Sequence, residues 1–420
     1  RVGKELNIPV FMYEQSATKN NRQNLADIRK GEYENMSSKI KEKQWLPDYG
    51  PKTMNYISGV TAIGVREFLI AYNINLNTND KKMASDIALD IREAGRAKRN
   101  KDGKIVRDKN QNIIKVPGSL KSTKAVGWYL EEFNLAQVSM NLVDYKITSI
   151  SKAFEEVRKQ ARKRGLRVTG SEIVGLVPLD AIKEVGTYFL NLQNKCTGTS
   201  DSQLIDTAIK SLGLNSLSIF DPQERIIDYV INDQDGLVDQ NVSTLVDEIS
   251  IDSPSPGGGS VSALGGSLAA ALVSMVGQLS YPRPEYHKKL KLINNLTQEA
   301  QYIKSKFIRL IDEDSNAFTE LMTAFRLPKK TPSQKKLRDK EILYKTKLAT
   351  DVPLITLLKS VDCMSLIEKV LKLENSRCIS DAGVAGEMCY AAAYGAYYNI
   401  MINIKDIQDI SYNRKVVKKA

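Results

Sequence analysis

The chain has 420 residues, 42% hydrophobic and 26% charged, and its 61 Lys and Arg outnumber 49 Asp and Glu for a formal charge of +12. This length implies two or three domains rather than one core, and the composition excludes a disordered or fibrous chain. Cys196, Cys363, Cys378 and Cys389 form no C-x-x-C pair and His287 is the single histidine, which argues against a zinc site or a disulfide framework. A metal-free protein of a reducing cytoplasm is expected.

In chain order, residues 1–7 read as the end of a helix leading into an apolar strand, 8–13, so the start at Arg1 looks cut. Residues 68–76 are a strand with Ile70, Tyr72, Ile74 and Leu76 on one face. Asn79 or Asp80 caps the next helix, whose Met83, Ile87, Ala88 and Ile91 recur at helical spacing. A charged hairpin around Asp102 and Gly103 precedes two strand candidates, 126–129 and 135–143. The second of these sets Ala136, Val138, Met140 and Leu142 on one face. Ala153, Val157 and Ala161 stripe a helix that Gly165 ends, and 168–177 is a further strand. The order β-α-β-β-α-β is that of a ferredoxin-like α/β sandwich. Asp221, Pro222 and Glu224 start a short helix through Ile231, and the polar break 232–239 reads as a linker.

Everything after it reads as an all-α helical bundle. Residues 261–279 carry no charge and approach the roughly 20 apolar residues that cross a bilayer, but Ser, Gly and Ala dominate. A buried bundle helix is therefore preferred over a membrane span, with the similar stretch 382–404 as its neighbour. Pro353 should kink or divide the helix that starts near Pro332.

The helix 293–324 carries the most informative pattern. Ile293, Ala300, Phe307, Asp314 and Leu321 recur every seventh residue, and Leu296, Ile303, Leu310, Ala317 and Ala324 follow three residues later. This is an a/d seam with an acid in one core position, whereas Asp312 rotates to the solvent side. An ionised carboxylate in an apolar seam is costly, so Asp314 must be neutral, paired or beside a polar pocket. Desolvation would raise its pKa toward proton-transfer chemistry; the competing reading is a structural acid bonded to a neighbouring helix. Before the small-residue helix stand Ser253, Pro254, Ser255, Pro256, Gly257, Gly258, Gly259 and Ser260. Such a turn either shapes a pocket at a helix N-terminus or simply connects two helices.

The excess of Lys and Arg points to an anionic partner. The basic runs 158–167 and 329–347 come with no nucleic-acid-binding signature, so no nucleic acid is expected. Taken singly, each run reads as a solvated helix face, with a polycarboxylate ligand as the functional rival.

Several segments resemble the formimidoyltransferase-cyclodeaminases, bifunctional enzymes of histidine breakdown. They are LADIRKGEYE at 25–34, residues 50–59, VREFLIAYNINL at 65–76, residues 128–144, GSEIVGLVP at 170–178, residues 225–229, PGGGSV at 256–261 and GAYYNIMINI at 395–404. They span almost the whole chain. The resemblance implies a remnant of a transferase N-subdomain over 1–68, a transferase C-subdomain over 69–231, the linker 232–239 and a cyclodeaminase over 240–420. It implies transfer of a formimidoyl group from formimidoylglutamate to a polyglutamylated tetrahydrofolate, then ring closure to 5,10-methenyltetrahydrofolate with ammonia release. It further implies a cytoplasmic homo-oligomer, a ring of dimers.

The family's folate stretch falls on Gly50, Pro51, Lys52, Thr53, Met54, Asn55, Tyr56, Ile57, Ser58 and Gly59. Its cyclodeaminase acid falls on Asp314, with the turn Gly257, Gly258, Gly259 and Ser260 shaping the pocket and Asp381 as a possible assistant or a plain N-terminal helix acid. The transferase's catalytic histidine would lie upstream of Arg1, since His287 does not match it, and the family's last helix would follow Ala420. Two alternatives remain: a methenyltetrahydrofolate cyclohydrolase, and a noncatalytic basic scaffold protein.

Overall fold

Strand β1 (Val10–Glu14) pairs in parallel with β2 (Thr61–Val65) in the computed structural model, which describes residues 1–231 and 236–420. Phe11, Ile28, Met36, Ile40 and Met54 form the small core beside this pair. Arg22 is buried within it, donating to Asp48 at 2.6 Å, with its guanidinium over the Phe11 ring. The chain divides into two compact units, Arg1–Gly175 and Leu176–Ala420. That division falls inside the segment 69–231, expected from the resemblance to be one subdomain.

The expected β-α-β-β-α-β order is present in the first unit. Strand β3 (Ile70–Leu76) leads to helix α1 (Lys81–Ile91), then to β4 (Thr123–Leu130), β5 (Leu135–Leu142), α2 (Ile150–Lys163) and β6 (Val168–Val174). The four strands form one antiparallel sheet in the order β4-β5-β3-β6, the strand arrangement of a ferredoxin-like sandwich. Period-two burial of Ile70, Tyr72, Ile74 and Leu76 on β3 faces the helical stripe Ala84, Ile87, Ala88 and Ile91 on α1. Asp80 caps α1 by accepting from the Lys82 N–H at 2.7 Å. The charged hairpin carries two turns where one was expected. Asn100 Oδ1 accepts from the Asp102 and Lys104 N–H groups, and Asp108 Oδ1 accepts in the same way from Asn110 and Asn112.

The second unit is helical. Residues 178–220, where the sequence pattern suggests no element, hold α3 (Leu179–Leu192) and α4 (Asp201–Leu212). The helix expected through Ile231 is two short ones, Pro222–Arg225 and Ile227–Val230. Ile226 between them is extended because it bridges Val177: the Ile227 N–H donates to the Val177 carbonyl at 3.0 Å. The expected linker 232–239 lies outside the described residues over 232–235; beyond it come a short turn, Leu237–Asp239, and the helix Val242–Ser250.

Four long helices make the bundle: α5 (Gly258–Ser280), α6 (Leu290–Phe325), α7 (Pro332–Leu371) and α8 (Ile379–Asn403). Helix α5 is long and apolar enough to span a bilayer by composition, yet 67% of its apolar window is buried inside the protein. Its small residues explain why it packs so closely: a Cβ on Gly266 would come within 2.5 Å of the Phe307 ring. The heptad seam on α6 is buried at Ile293, Leu296, Ala300, Ile303, Phe307 and Leu310.

Pro353 does not divide α7, which runs unbroken through it. Proline removes the N–H that would bond the carbonyl four residues back. That carbonyl, Ala349 O, instead accepts from the Asn403 side-chain amide at 2.9 Å, so a residue on α8 repairs the break.

Candidate functional site

The seam acid and the glycine turn meet. Ser260, at the start of α5, donates its hydroxyl to the Ile311 carbonyl at 2.9 Å and to Asp314 Oδ2 at 3.2 Å. The Asp314 carboxylate thus rests on the first turn of α5, where the Ser260 N–H also donates to it. Gly259 is required for this approach, because a Cβ there would lie 2.1 Å from Asp314 Oδ1. The N-terminal N–H groups that the sequence offered to a ligand anion are taken, in part, by the protein's own carboxylate.

Burial dominates the electrostatics of Asp314. It pushes the carboxyl above its ordinary range, and the hydroxyl and N–H of Ser260 offset that only in part. Among the described residues no Lys or Arg acts on it. The side chain is half-buried, neither in open solvent nor sealed in packing. A carboxyl held this way can give and take a proton at higher pH than an exposed aspartate.

Asp312 is not the free surface acid expected from its register. Its Oδ1 accepts from the Leu237 N–H at 2.7 Å, capping the turn Leu237–Asp239, and burial again raises its pKa. The heptad correctly put it on the other side of α6, but that side is covered by the segment leaving the linker.

Asn399 and Ser315, which no motif singled out, also stand at the site, and Ser255 of the turn joins them. A Cβ on Gly258 would come 3.2 Å from Asn399 Nδ2, which brings α8 to the same end of the bundle. Ser255 and Ser315 hydroxyls meet at 2.7 Å beside Asp314. The only signal for Asn399 was its place in the stretch 395–404. Asp381 is not brought to Asp314. Helix α8 runs antiparallel to α5, with the Asn375 amide donating to Ser280 Oγ at the far end. Asp381 therefore stands about 27 Å along α8 from Asn399 at 1.5 Å per residue. His287 is exposed in the turn Pro284–Lys289.

In the first unit the loop 50–59 is anchored at one side and open at the other. Met54 is buried in the small core, whereas Tyr56 and Ile57 are 77% and 98% exposed. Asn55 organises the bend: its Oδ1 accepts from the Ile57 and Ser58 N–H groups at 3.0 and 2.9 Å, and its carbonyl accepts from the Gly59 N–H at 2.7 Å. Gly50 and Gly59 hold positive φ, at +84° and +65°. Ile57, Ser58 and Gly59 line a cavity of about 510 Å³ with Arg29, Glu32 and Tyr33. Arg29 and Glu32 also line a second cavity of about 590 Å³, together with Glu14, Arg66 and Lys124. Among the described residues no three of His, Cys, Asp and Glu are grouped as metal ligands would be.

Family models cover nearly the entire chain. One described as formiminotransferase-cyclodeaminase matches 241–420, one described as formiminotransferase domain matches 71–232, and its N-terminal subdomain matches 1–66. A formimidoyltransferase-cyclodeaminase of Rattus norvegicus is 37% identical over 99% of this chain and 74% of its own length. A glutamate formimidoyltransferase of Streptococcus pyogenes is 40% identical over 46% of this chain and 58% of its own. A methenyltetrahydrofolate cyclohydrolase of Methylorubrum extorquens is 32% identical over 43% of this chain and 86% of its own. A crystal structure of a formiminotetrahydrofolate cyclodeaminase from Thermotoga maritima aligns over 43% of this chain and 86% of its own, at 23% identity and a TM-score of 0.39.

Proposed function

The chain belongs to the formimidoyltransferase-cyclodeaminase family, and from that premise we propose how its residues divide the work. It is a bifunctional folate enzyme that moves the formimidoyl group of formimidoylglutamate to tetrahydrofolate and closes the product to 5,10-methenyltetrahydrofolate, releasing ammonia.

Asp314 is the acid/base of the ring closure. The second folate nitrogen attacks the formimidoyl carbon and a C–N bond forms. Starting from the protonated formimidoyl group, whose terminal nitrogen carries two hydrogens, Asp314 accepts the proton of the attacking nitrogen and returns it to the terminal one, whose bond to carbon breaks as neutral ammonia leaves and the positive charge stays on the methenyl bridge. The observation that supports this role is the seat of Asp314 on Ser260 and Gly259, half-buried and without a cation. Gly257 and Gly258 complete the rim, and Asn399 faces it from α8. The test is ammonia release from 5-formimidoyltetrahydrofolate by Asp314→Asn; an undiminished rate removes Asp314 from the chemistry. The same assay separates this reading from a methenyltetrahydrofolate cyclohydrolase, which the likeness of the bundle to the Methylorubrum enzyme keeps in view. A cyclohydrolase releases no ammonia.

The loop 50–59 takes the folate of the transferase step, with Tyr56 and Ile57 offering exposed apolar surface to the pterin. Arg29, Arg66 and Lys124 in the adjoining cavity meet the donor's carboxylates. The folate carries a polyglutamate tail that basic surface retains, so rising salt should weaken its retention.

The protein is cytoplasmic, a placement supported by its four free cysteines. It assembles as a ring of dimers, supported by the exposed face of α8, where the rings of Tyr390, Tyr394 and Tyr398 lie tilted and edge-on to one another with centroids 4.5 and 6.3 Å apart. Light scattering on the purified chain tests the assembly; a monomer at micromolar concentration contradicts it.

A further inference from the structure

Helix α8 places an amide over the same turn that seats Asp314. A Cβ on Gly258 would come 3.2 Å from Asn399 Nδ2 and 3.8 Å from Asn399 Oδ1, as one on Gly259 would come 2.1 Å from Asp314 Oδ1. The two glycines are consecutive, with Cα atoms about 3.8 Å apart, so the amide from α8 and the carboxylate from α6 overlook one turn. Gly258 is exposed whereas Gly259 and Ser260 are buried, so the turn is open on the side that Asn399 faces.

The orientation of the amide is set by its own helix. A backbone carbonyl accepts and cannot donate, so it is the NH2 end of Asn399 that meets the Gly395 carbonyl, at 2.8 Å. The carbonyl end, Oδ1, has no hydrogen-bond partner among the described residues. A half-buried acceptor without a donor, beside a carboxyl that trades a proton, fits a substrate group that donates.

One group of the substrate meets that need, the terminal nitrogen of the protonated formimidoyl group with its two hydrogens. We propose that Asn399 Oδ1 accepts a hydrogen bond from this nitrogen and makes the site selective for a formimidoyl over a formyl group. The proposal rests on the cyclodeaminase reading. A formyl oxygen in the same place turns lone pairs toward Oδ1 and leaves two acceptors facing each other unpaired. The terminal nitrogen is a donor throughout, with two hydrogens before the proton arrives from Asp314 and three after it. The bond therefore holds until ammonia leaves, and the neutral amide takes no proton from Asp314 on the way.

The test compares ammonia release from 5-formimidoyltetrahydrofolate with its inhibition by 5-formyltetrahydrofolate, on the full chain. The proteins are the wild type, Asn399→Ala, the bulkier Asn399→Leu, and Asn399→Asp, which keeps the acceptor and gives up the bond to Gly395. In either apolar variant kcat/KM for ammonia release should fall by about tenfold or more, the worth of a hydrogen bond from a charged donor. The formyl compound should inhibit these variants as tightly as the wild type or more tightly, so the preference for the formimidoyl group narrows. Asn399→Asp should keep that preference. A merely structural amide would weaken substrate and inhibitor by the same factor, and that result overturns the proposal, as does loss of the preference in Asn399→Asp. Absence of ammonia release by the wild type overturns the cyclodeaminase reading itself, whereas release with an unmoved preference overturns the role of Asn399 alone.

Discussion

Two carboxylates, one in each unit, are withdrawn from water in opposite ways. Asp48, in the first unit, is met on every side by donors. Burial alone would raise its pKa, but the Thr18 hydroxyl, the Met12 N–H at 2.7 Å and the Arg22 guanidinium at 2.6 Å overcome this and hold the carboxyl below the usual range. Asp314, at the end of the bundle, receives among the described residues the hydroxyl and N–H of Ser260 alone, and its carboxyl stays above the usual range. Full pairing makes an acid structural; partial pairing leaves it a proton to trade. Their contributions to stability run in opposite directions with pH. The depressed pKa of Asp48 gives stability that is present above its unfolded value and lost as pH falls through the folded one. The raised pKa of Asp314 gives stability that is present at low pH and lost as pH rises through the folded value.

The contrast is broken most directly by neutralising each acid. Asp314→Asn should lower the rate of ammonia release by about 10²–10⁴-fold, the range of general acid/base catalysis, while leaving the fold intact. Asp48→Asn should leave Arg22 buried without its counter-ion and lower stability by about 3–5 kcal/mol at neutral pH, read by denaturant unfolding. If the two variants exchanged phenotypes, the division into structural and reactive acids would fail.

Smaller changes sharpen it. Gly259→Ala drives a methyl into the Asp314 carboxylate, and the displacement should cost about 1–3 kcal/mol in stability along with deaminase activity. Ser260→Ala removes a hydrogen bond that favours the ionised carboxyl. The acid limb of the pH–rate profile should then move to higher pH, by about one unit or less, since such a bond is worth about 1 kcal/mol. A limb that moved to lower pH would show that Asp314 is not the group that titrates.

The periods of the sandwich elements and of the seam helix are legible in the sequence, and with them the sandwich order and the seam acid, whereas α3 and α4 are not. What it concealed depends on partners distant in the chain. Pro353 looks like a break until Asn403 supplies the missing donor from another helix. The turn 257–260 looks like a vacant anion site until Asp314 is seen to occupy it. Asp381 has the right residue type and the right kind of helix end, but the antiparallel run of α8 carries it to the opposite end of the bundle. Periodicity tells which face of a helix a residue is on and is silent about what covers that face.

Asp312 is the internal control for this distinction, because it shares a helix, a residue type and a raised pKa with Asp314. Its carboxylate receives the Leu237 and Val238 N–H groups of the segment that joins the two halves of the chain, and the neighbouring Asp239 adds repulsion. Its raised pKa therefore reflects burial under a strap rather than a position beside a substrate. Asp312→Ala should release that strap at a cost of about 1 kcal/mol, the net worth of a hydrogen bond of this kind. Proteolysis between 236 and 240 should accelerate, and ammonia release per folded enzyme should hold within about twofold, well under the loss expected from removing a proton-transfer group. A loss on the scale of Asp314→Asn would mean that the proton path includes both acids, and that a raised pKa on α6 marks function on either face.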